Sequence, residues 1–319
     1  MRVAIIGQQA FGQSVFEAFR ARGDQVAGVF CAREKPAARP DPLRLAAEAA
    51  GVPVLQLPTL KSDEAQQALR EFNVDLGVMA YVLQFAPQSF VNIPRYGTIQ
   101  YHPSLLPRHR GPSSINWPLI MGETHTGLTI FRPTDGLDEG PIVLQKSLAI
   151  EPDDTVGGIY FERLFPMGVA AMLEAADLIV ARQHSETVQD ESAATYEGWC
   201  RDAEAEINWN APVDAVYNLI RGCNPAPGAW TSIRGHKVRL LDSRKHVTRS
   251  FADVTGKPGE IISIGEQSLR VAVQGGSLEV LKVRRDGGEK LSGAALAAAL
   301  ELSPGTLFSR GASIAPAPT

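Results

Sequence analysis

Cysteine is scarce: Cys31, Cys200 and Cys223 are the only three among 319 residues. An odd number, with no C-x-x-C or Cys/His spacing, excludes a disulfide framework and a cysteine-based zinc site, so reduced thiols are expected. Aromatic residues make up 7% of the chain, and no apolar run approaches the roughly 18 residues of a membrane span. Met1–Gly7 lacks the basic and long apolar layout of a secretory leader and reads as a strand stopped by glycine; a cytoplasmic location is expected. Neither sign of charge dominates: the net is −4, made of −7 over residues 1–200 and +3 over residues 201–319. That surplus is too small for the dense basic footprint of a strong nucleic-acid binder.

What is present is an ordinary globular composition, 44% hydrophobic and 21% charged, in a chain long enough for two cores. In the first half, apolar runs alternate with helical spacings. Strands are expected at Val3–Ile6, Gln25–Cys31, Val52–Gln56, Leu76–Ala80, Gly97–Tyr101, Thr126–Phe131 and Ile142–Ile150. Helices are expected at Gln13–Arg22, Leu43–Ala50, Asp63–Phe72 and Thr155–Ile179. Such alternation predicts an α/β fold with a mostly parallel sheet and right-handed crossovers. Residues 180–205 are polar and mixed, the texture of a linker. Beyond them Asn210 is placed to cap a helix with Pro212 in its first turn, running to Arg221. Five short strands follow, at Ala229–Ile233, Val238–Asp242, Gly259–Ile264, Leu269–Val273 and Ser277–Val283, with a closing helix at Ser292–Leu300. Five strands with glycine-rich turns suit a small β-barrel. The chain thus divides into domains at 1–205 and 206–310 and a disordered tail at 311–319.

Gly7 and Gly12 flank the first strand–helix turn, but the middle glycine of a dinucleotide fingerprint is missing. A closely packed turn is preferred, and a folate- or nucleotide-sensing binding protein is the non-enzyme alternative. The densest cluster of chemistry-bearing residues is Gln100-Tyr-His102-Pro-Ser104-Leu-Leu-Pro107-Arg108-His109-Arg110-Gly111. It starts at the C-terminal end of a strand, where open α/β sheets hold their ligands. Taken alone, its histidine reads as a surface residue, and Arg108, His109 and Arg110 as a solvated patch. A second cluster, Thr134-Asp135-Gly136-Leu137-Asp138-Glu139-Gly140, is by itself an acidic turn with too few ligands for calcium. Asp153 and Asp154 are expected to cap the helix from Thr155, and Asn116 and Trp117 to pack the helix after Gly111.

Together, Gln100-x-His102-x-Ser104-Leu-Leu-Pro107-x-x-Arg110-Gly111 and Asp135-Gly-Leu-Asp138-x-Gly140 resemble the folate-dependent formyltransferase family. That family includes methionyl-tRNA, glycinamide ribonucleotide and sugar-amine formyltransferases and the hydrolase domain of 10-formyltetrahydrofolate dehydrogenase. Ile207-Asn-Trp209 and Leu219-Ile-Arg221-Gly-x-Asn224-Pro-x-Pro-Gly228-Ala-Trp230 resemble the C-terminal domain of its longer members. Tyr101–Gly111, Ser114–Trp117, Leu164–Pro166 and Ala194–Gly198 are most similar to the dehydrogenase's hydrolase domain.

The resemblance implies a Rossmann-like domain followed by an OB-like barrel, 10-formyltetrahydrofolate as formyl donor, and no metal. It implies that His102 donates to the developing oxyanion and that Asp138 orients His102 and helps remove a proton. Gln100 stands where most members have asparagine and would be a second donor, while Ser104 lines the site. Backbone groups of Gln84-Phe85-Ala86 and Thr134-Asp135-Gly136 would read the pterin ring. The implied acceptor is a small-molecule amine or water. Methionyl-tRNA comes third, since the tRNA enzymes carry a longer basic insertion where this chain has Arg33–Pro42, of net charge +1. No membrane partner is implied.

Overall fold

Val3, Ala4, Ile5 and Ile6 are buried on both faces of their strand, as the unbroken apolar run requires of a central parallel strand. This strand, β1 (Arg2–Gly7), lies inside a seven-stranded sheet. The computed structural model describes residues 1–35, 38–248 and 255–310; the tail expected at 311–319 lies outside them. The chain forms two units. The first comprises Met1–Ser114, Thr126–Leu148 and Tyr160–Glu197; the second takes Ile115–His125, Ala149–Ile159 and the chain from Gly198 onward. Two segments of the second unit therefore come from before residue 205.

In the first unit β1 is followed by α1 (Gln9–Ala21), β2 (Gln25–Phe30), α2 (Pro42–Ala49), β3 (Val54–Leu55), α3 (Asp63–Phe72), β4 (Leu76–Ala80), α4 (Gln88–Val91) and β5 (Thr98–His102). These five strands pair in parallel in the order β3-β2-β1-β4-β5. β6 (His125–Phe131) and β7 (Ile142–Ala149) extend the sheet beyond β5, with β6 antiparallel to it. The mostly parallel α/β fold expected of the sequence is what forms. α1 buries Phe11, Val15, Phe16 and Phe19, one stripe of an amphipathic helix. It starts four residues earlier than expected, because Gly12 is not in the turn but inside the helix. A Cβ there would come within 3.0 Å of Leu43 Cδ2.

The single helix expected over Thr155–Ile179 is broken into a one-turn α6 (Val156–Gly158), a π-helical turn at Ile159–Leu164 and α7 (Phe165–Val180). Gly157 and Gly158 weaken the first turn, and Pro166 has no N–H to continue the ladder. Thr155, not Asp153 or Asp154, caps α6, accepting from Gly158 N at 3.1 Å. Asp153 instead accepts from the Tyr217 hydroxyl at 2.7 Å, and Asp154 from Glu151 N.

The second unit contains α5 (Asn116–Ile120), α8 (Val213–Gly222), strands β8 (Trp230–Ile233), β9 (His236–Val247), β10 (Ile261–Ile264), β11 (Leu269–Val273), β12 (Gly276–Arg285) and β13 (Lys290–Ser292), and α9 (Gly293–Ala299). Its antiparallel sheet runs β10-β11-β12-β9-β8, with β13 on β12. Ser309 bridges to Ser232 of β8 and Leu307 to Glu260 beside β10, so segment 307–309 joins the two outer strands and closes the curl. Its core includes Trp209, Ile220, Leu240, Val271, Val280 and Leu296. Asn116 donates to the carbonyls of Gly222 and Ala226, and Trp117 Nε1 to that of Gly198, the packing role expected of both. Pro212, not Asn210, occupies the N-cap of α8. No helix of the described residues is long and apolar enough to cross a membrane.

On this unit Lys237 and Arg239 both meet Asp202, at 2.6 and 2.8 Å. The Arg239 hydrogen bond lowers the Asp202 carboxyl to about 2 from an ordinary 3.8; Lys237 adds to this and burial opposes it. A carboxyl depressed in the folded state stabilises fully above its unfolded value, here about pH 4, and loses that contribution as pH falls towards 2. Asp202 is half-exposed, so solvent screening keeps the contribution under ~1 kcal/mol. Asp202→Asn is expected to flatten the acid limb of a plot of urea midpoint against pH; an unaltered limb would show that the pairing does not stabilise the fold.

Candidate active site

β5 delivers the central residues. Side chains alternate along a strand, so Gln100 and His102 share one face and Tyr101 takes the other. On that other face Tyr101 packs against Phe11 with ring centroids 4.4 Å apart. His102 is 5% exposed, and its Nε2 lies 2.8 Å from the His109 carbonyl oxygen. A carbonyl can only accept, so Nε2 carries the hydrogen. Nδ1 then faces Asp138 Oδ2 at 3.6 Å. Asp138 is 8% exposed, and the same Oδ2 accepts from Gly111 N at 2.9 Å.

The fold has to bring Asp138 back to His102. β6 is antiparallel to β5, with Thr129 opposite His102 and Phe131 opposite Gln100. The chain therefore leaves the sheet beyond Gln100, anchored by Arg132 Nη1 on the carbonyls of Tyr96 and Thr98, and loop 133–140 must return. Asp138 is in the left-handed region at φ 55, and so are His109 at φ 57 and Tyr81 at φ 63. Each costs an L-residue about 1 kcal/mol, and such strain gathers at functional sites. Gly111 has φ 106, and a Cβ on it would lie 2.4 Å from the Glu197 carbonyl oxygen, so glycine is required there. Ser104, expected to line the site, is wholly buried and donates to the Arg108 carbonyl at 2.7 Å; it shapes the loop.

Arg110 is no solvated residue: it is 0% exposed. Its guanidinium binds both oxygens of Glu191, at 2.9 and 2.6 Å, and also donates to Gln189 Oε1 and the Tyr196 hydroxyl. His109 Nδ1 lies 3.2 Å from Glu197 Oε2, and His109 N donates to Thr195 Oγ1 at 2.8 Å. Gln189 Nε2 donates to the carbonyls of Asp138 and Gly140. All these partners come from the stretch read as a linker. Residues 189–197 are instead the clamp that holds loop 102–111 against loop 134–140. Only Ala194–Gly198 carried a signal, through the resemblance; Gln189 and Glu191 carried none.

Residues 1–175 match the Formyl transferase family, and residues 200–300 match the Formyl transferase C-terminal domain. The chain belongs to the formyl transferase family. The mitochondrial 10-formyltetrahydrofolate dehydrogenase of Homo sapiens is 44% identical over 271 residues, covering 83% of this chain but 28% of that protein. This chain thus spans little more than a quarter of that relative. The methionyl-tRNA formyltransferase of Geobacter metallireducens is 34% identical over 89% of this chain and 91% of its own. Among solved structures, an N-formyltransferase from Helicobacter canadensis, in complex with folinic acid and dTDP-3-aminofucose, superposes with a TM-score of 0.62 at 14% identity, covering 88% of this chain and 98% of that one.

In this formyl transferase the two loops expected at the folate are brought together. Gln88 N donates to Asp135 Oδ1 and Gln88 Nε2 to the Pro133 carbonyl, which ties the segment after Ala86 to Thr134–Gly136. Gln84 turns its amide to the carbonyls of Leu57 and Pro58, which leaves backbone rather than side chain for a ligand. Phe85 is exposed beneath the Lys61 ammonium, 4.6 Å from its ring centroid, and Leu83 and Leu137 are exposed beside these loops in sequence. The first strand–helix turn is built otherwise. A Cβ at Gly7 would lie 2.2 Å from the Ala80 carbonyl oxygen, and the Gln9 N–H at the start of α1 is bound by the Asp41 carboxylate. The helix end that would meet a nucleotide phosphate is therefore already occupied by an anion. Cys31, Cys200 and Cys223 are buried and outside any disulfide; burial first, then the charges of Asp41 and Glu34, push the Cys31 thiol up to about 12, which makes it a poor nucleophile. Among the described residues no group of three His, Cys, Asp or Glu could hold a metal ion.

Proposed function

We propose that this formyl transferase takes the formyl group of 10-formyltetrahydrofolate and passes it to a small-molecule amine or to water. The observation that carries this is the His102–Asp138 pair, whose facing atoms stand 3.6 Å apart at the end of β5. That gap is just longer than a hydrogen bond, so a nucleophile seated beside the pair can reach both atoms. With Nε2–H committed to His109, the ring has no N–H to spare for the oxyanion role that the resemblance implies, and its exchangeable position is Nδ1, on the Asp138 side. Asp138 holds the nucleophile, and Nδ1 takes its proton as the nucleophile adds to the formyl carbon. The carbon–N10 bond then breaks and N10 leaves with that proton. Gln100, on the same face as His102, donates its amide to the oxyanion. Backbone groups of Gln84–Ala86 and Thr134–Gly136 bind the pterin. Residues 1–205 carry the chemistry and residues 206–310 form the accessory barrel, in a reduced cytoplasmic compartment that suits three cysteines outside any disulfide.

Methionyl-tRNA as acceptor is the second reading, favoured by the near end-to-end match to the Geobacter enzyme. Charge weighs against it. Lys237, Arg239 and Lys245 of the barrel are each bound to a carboxylate and offer less to a phosphate backbone.

The test is turnover of 10-formyltetrahydrofolate without acceptor, following tetrahydrofolate and formate together. Sustained turnover at about 1 s⁻¹ or faster makes water the nucleophile. Folate binding without turnover leads to a screen of amino sugars, amino acids and charged tRNA. If the protein neither binds nor turns over 10-formyltetrahydrofolate, the proposal is overturned. Gln100→Asn, which shortens the amide's reach, is expected to change the ratio of hydrolysis to transfer several-fold; an unchanged ratio would take Gln100 out of the mechanism.

A further inference from the structure

We infer that Gln189 is a positioning residue for the Asp138 carboxylate, an inference that rests on the formyl-transfer reading. Gln189 is 5% exposed, and its carboxamide fills all its hydrogen-bonding positions. Oε1 accepts from Arg110 Nη2 at 2.8 Å and Nε at 3.2 Å. Nε2 donates to the carbonyls of Asp138 at 2.8 Å and Gly140 at 2.7 Å. A flipped amide would set NH2 against the guanidinium and oxygen against two carbonyls, so a single orientation satisfies the site.

What that orientation fixes is the backbone of Asp138. At φ 55 this residue sits where an L-amino acid is held only by its surroundings. Gln189 pins the carbonyl of Asp138 itself and the carbonyl two residues on. The other anchor of the carboxylate is Gly111 N–H, one residue beyond Arg110 on the opposite loop. Arg110 and Gln189 therefore form a relay that ties the loop bearing Gly111 to the loop bearing Asp138. The separation of Oδ2 from His102 Nδ1 is set by this relay. Gln189 bonds to a backbone and a guanidinium, so its effect on the reaction passes through Asp138.

The discriminating variant is Gln189→Glu, which can still accept from Arg110 but cannot donate to the two carbonyls. It is expected to lower kcat about 100-fold, the effect of a small misplacement of a reacting group. KM for 10-formyltetrahydrofolate should change by less than about threefold, and Tm should fall by several degrees because two buried carbonyls lose their donor. The double variant Asp138→Asn/Gln189→Glu should be no slower than Asp138→Asn alone, because both lesions fall on one carboxylate. Gln189→Met, apolar and of similar length, replaces the glutamate variant if that one does not fold. Full kcat in the single variant, or losses that multiply in the double, would overturn the inference. A crystal structure of the variant reads the geometry independently of turnover: Asp138 Oδ2 is expected to leave Gly111 N, and an unmoved Asp138 would overturn the inference. If the wild-type protein neither binds 10-formyltetrahydrofolate nor turns it over with any acceptor, the function reading fails, and the crystallographic result alone decides the role of Gln189.

Discussion

His102→Ala is expected to slow formyl release by about 10³- to 10⁴-fold while folate binding persists. The imidazole is the proton acceptor in the first step and the donor in the second, and alanine supplies neither. Its loss also leaves the His109 carbonyl without the Nε2–H donor that holds the loop. Asp138→Asn isolates the charge. An asparagine oxygen placed where Oδ2 stands still accepts from Gly111 N, so the loop geometry survives while the negative charge facing Nδ1 is gone. The expected loss is about 10²- to 10³-fold in kcat with little change in KM, the pattern of an interaction made in the transition state. Steady-state kinetics on both variants, paired with equilibrium binding of a non-hydrolysable folate, separate the two effects. Either variant retaining a tenth or more of wild-type kcat (about 1.4 kcal/mol) would exclude the assigned role.

The two halves of the site were legible separately because each is contiguous. Gln100–Gly111 follows one strand, Thr134–Gly140 follows another, and the resemblance names His102 and Asp138 within them. Their meeting is not a property of either segment. It depends on β6 running antiparallel to β5, so that loop 133–140 must return towards His102. Strands β1 and β4 were legible because burial on both faces leaves an unbroken apolar run. β13 was not, since three residues cannot display a period. Residues 180–205 misled because polar composition does not tell a solvated segment from one whose polar groups serve another loop. Gln189 and Thr195 spend their hydrogen bonds on loops 40 to 90 residues earlier in the chain.

Arg110→Met, finally, is expected to cost about 3 kcal/mol and to lower Tm by roughly 10 °C. The replacement is apolar and similar in length, so the cost is not mainly a cavity. It arises at Gln189 Oε1, which is buried and loses both donors; an unsatisfied buried acceptor costs about 1–3 kcal/mol. The lost charge-assisted bonds to Glu191 and Tyr196 add less, because both of those side chains are largely exposed and can turn to water. The same asymmetry makes Glu191→Gln a mild change, since Arg110 keeps Gln189 and Tyr196. It also sets the pH dependence. The Arg110 hydrogen bond holds the Glu191 carboxyl below its ordinary value, so the pair stabilises at neutral pH and is lost as pH falls. Arg110→Met should therefore be nearest to wild type in acid. Arg110→Lys keeps the charge but not the planar fork that meets Glu191 with two nitrogens, and should fall between. Thermal melts of the four proteins at neutral and acid pH test this order. An Arg110→Met protein melting within about 2 °C of wild type would mean that the clamp does not stabilise the fold and serves to align the loops alone.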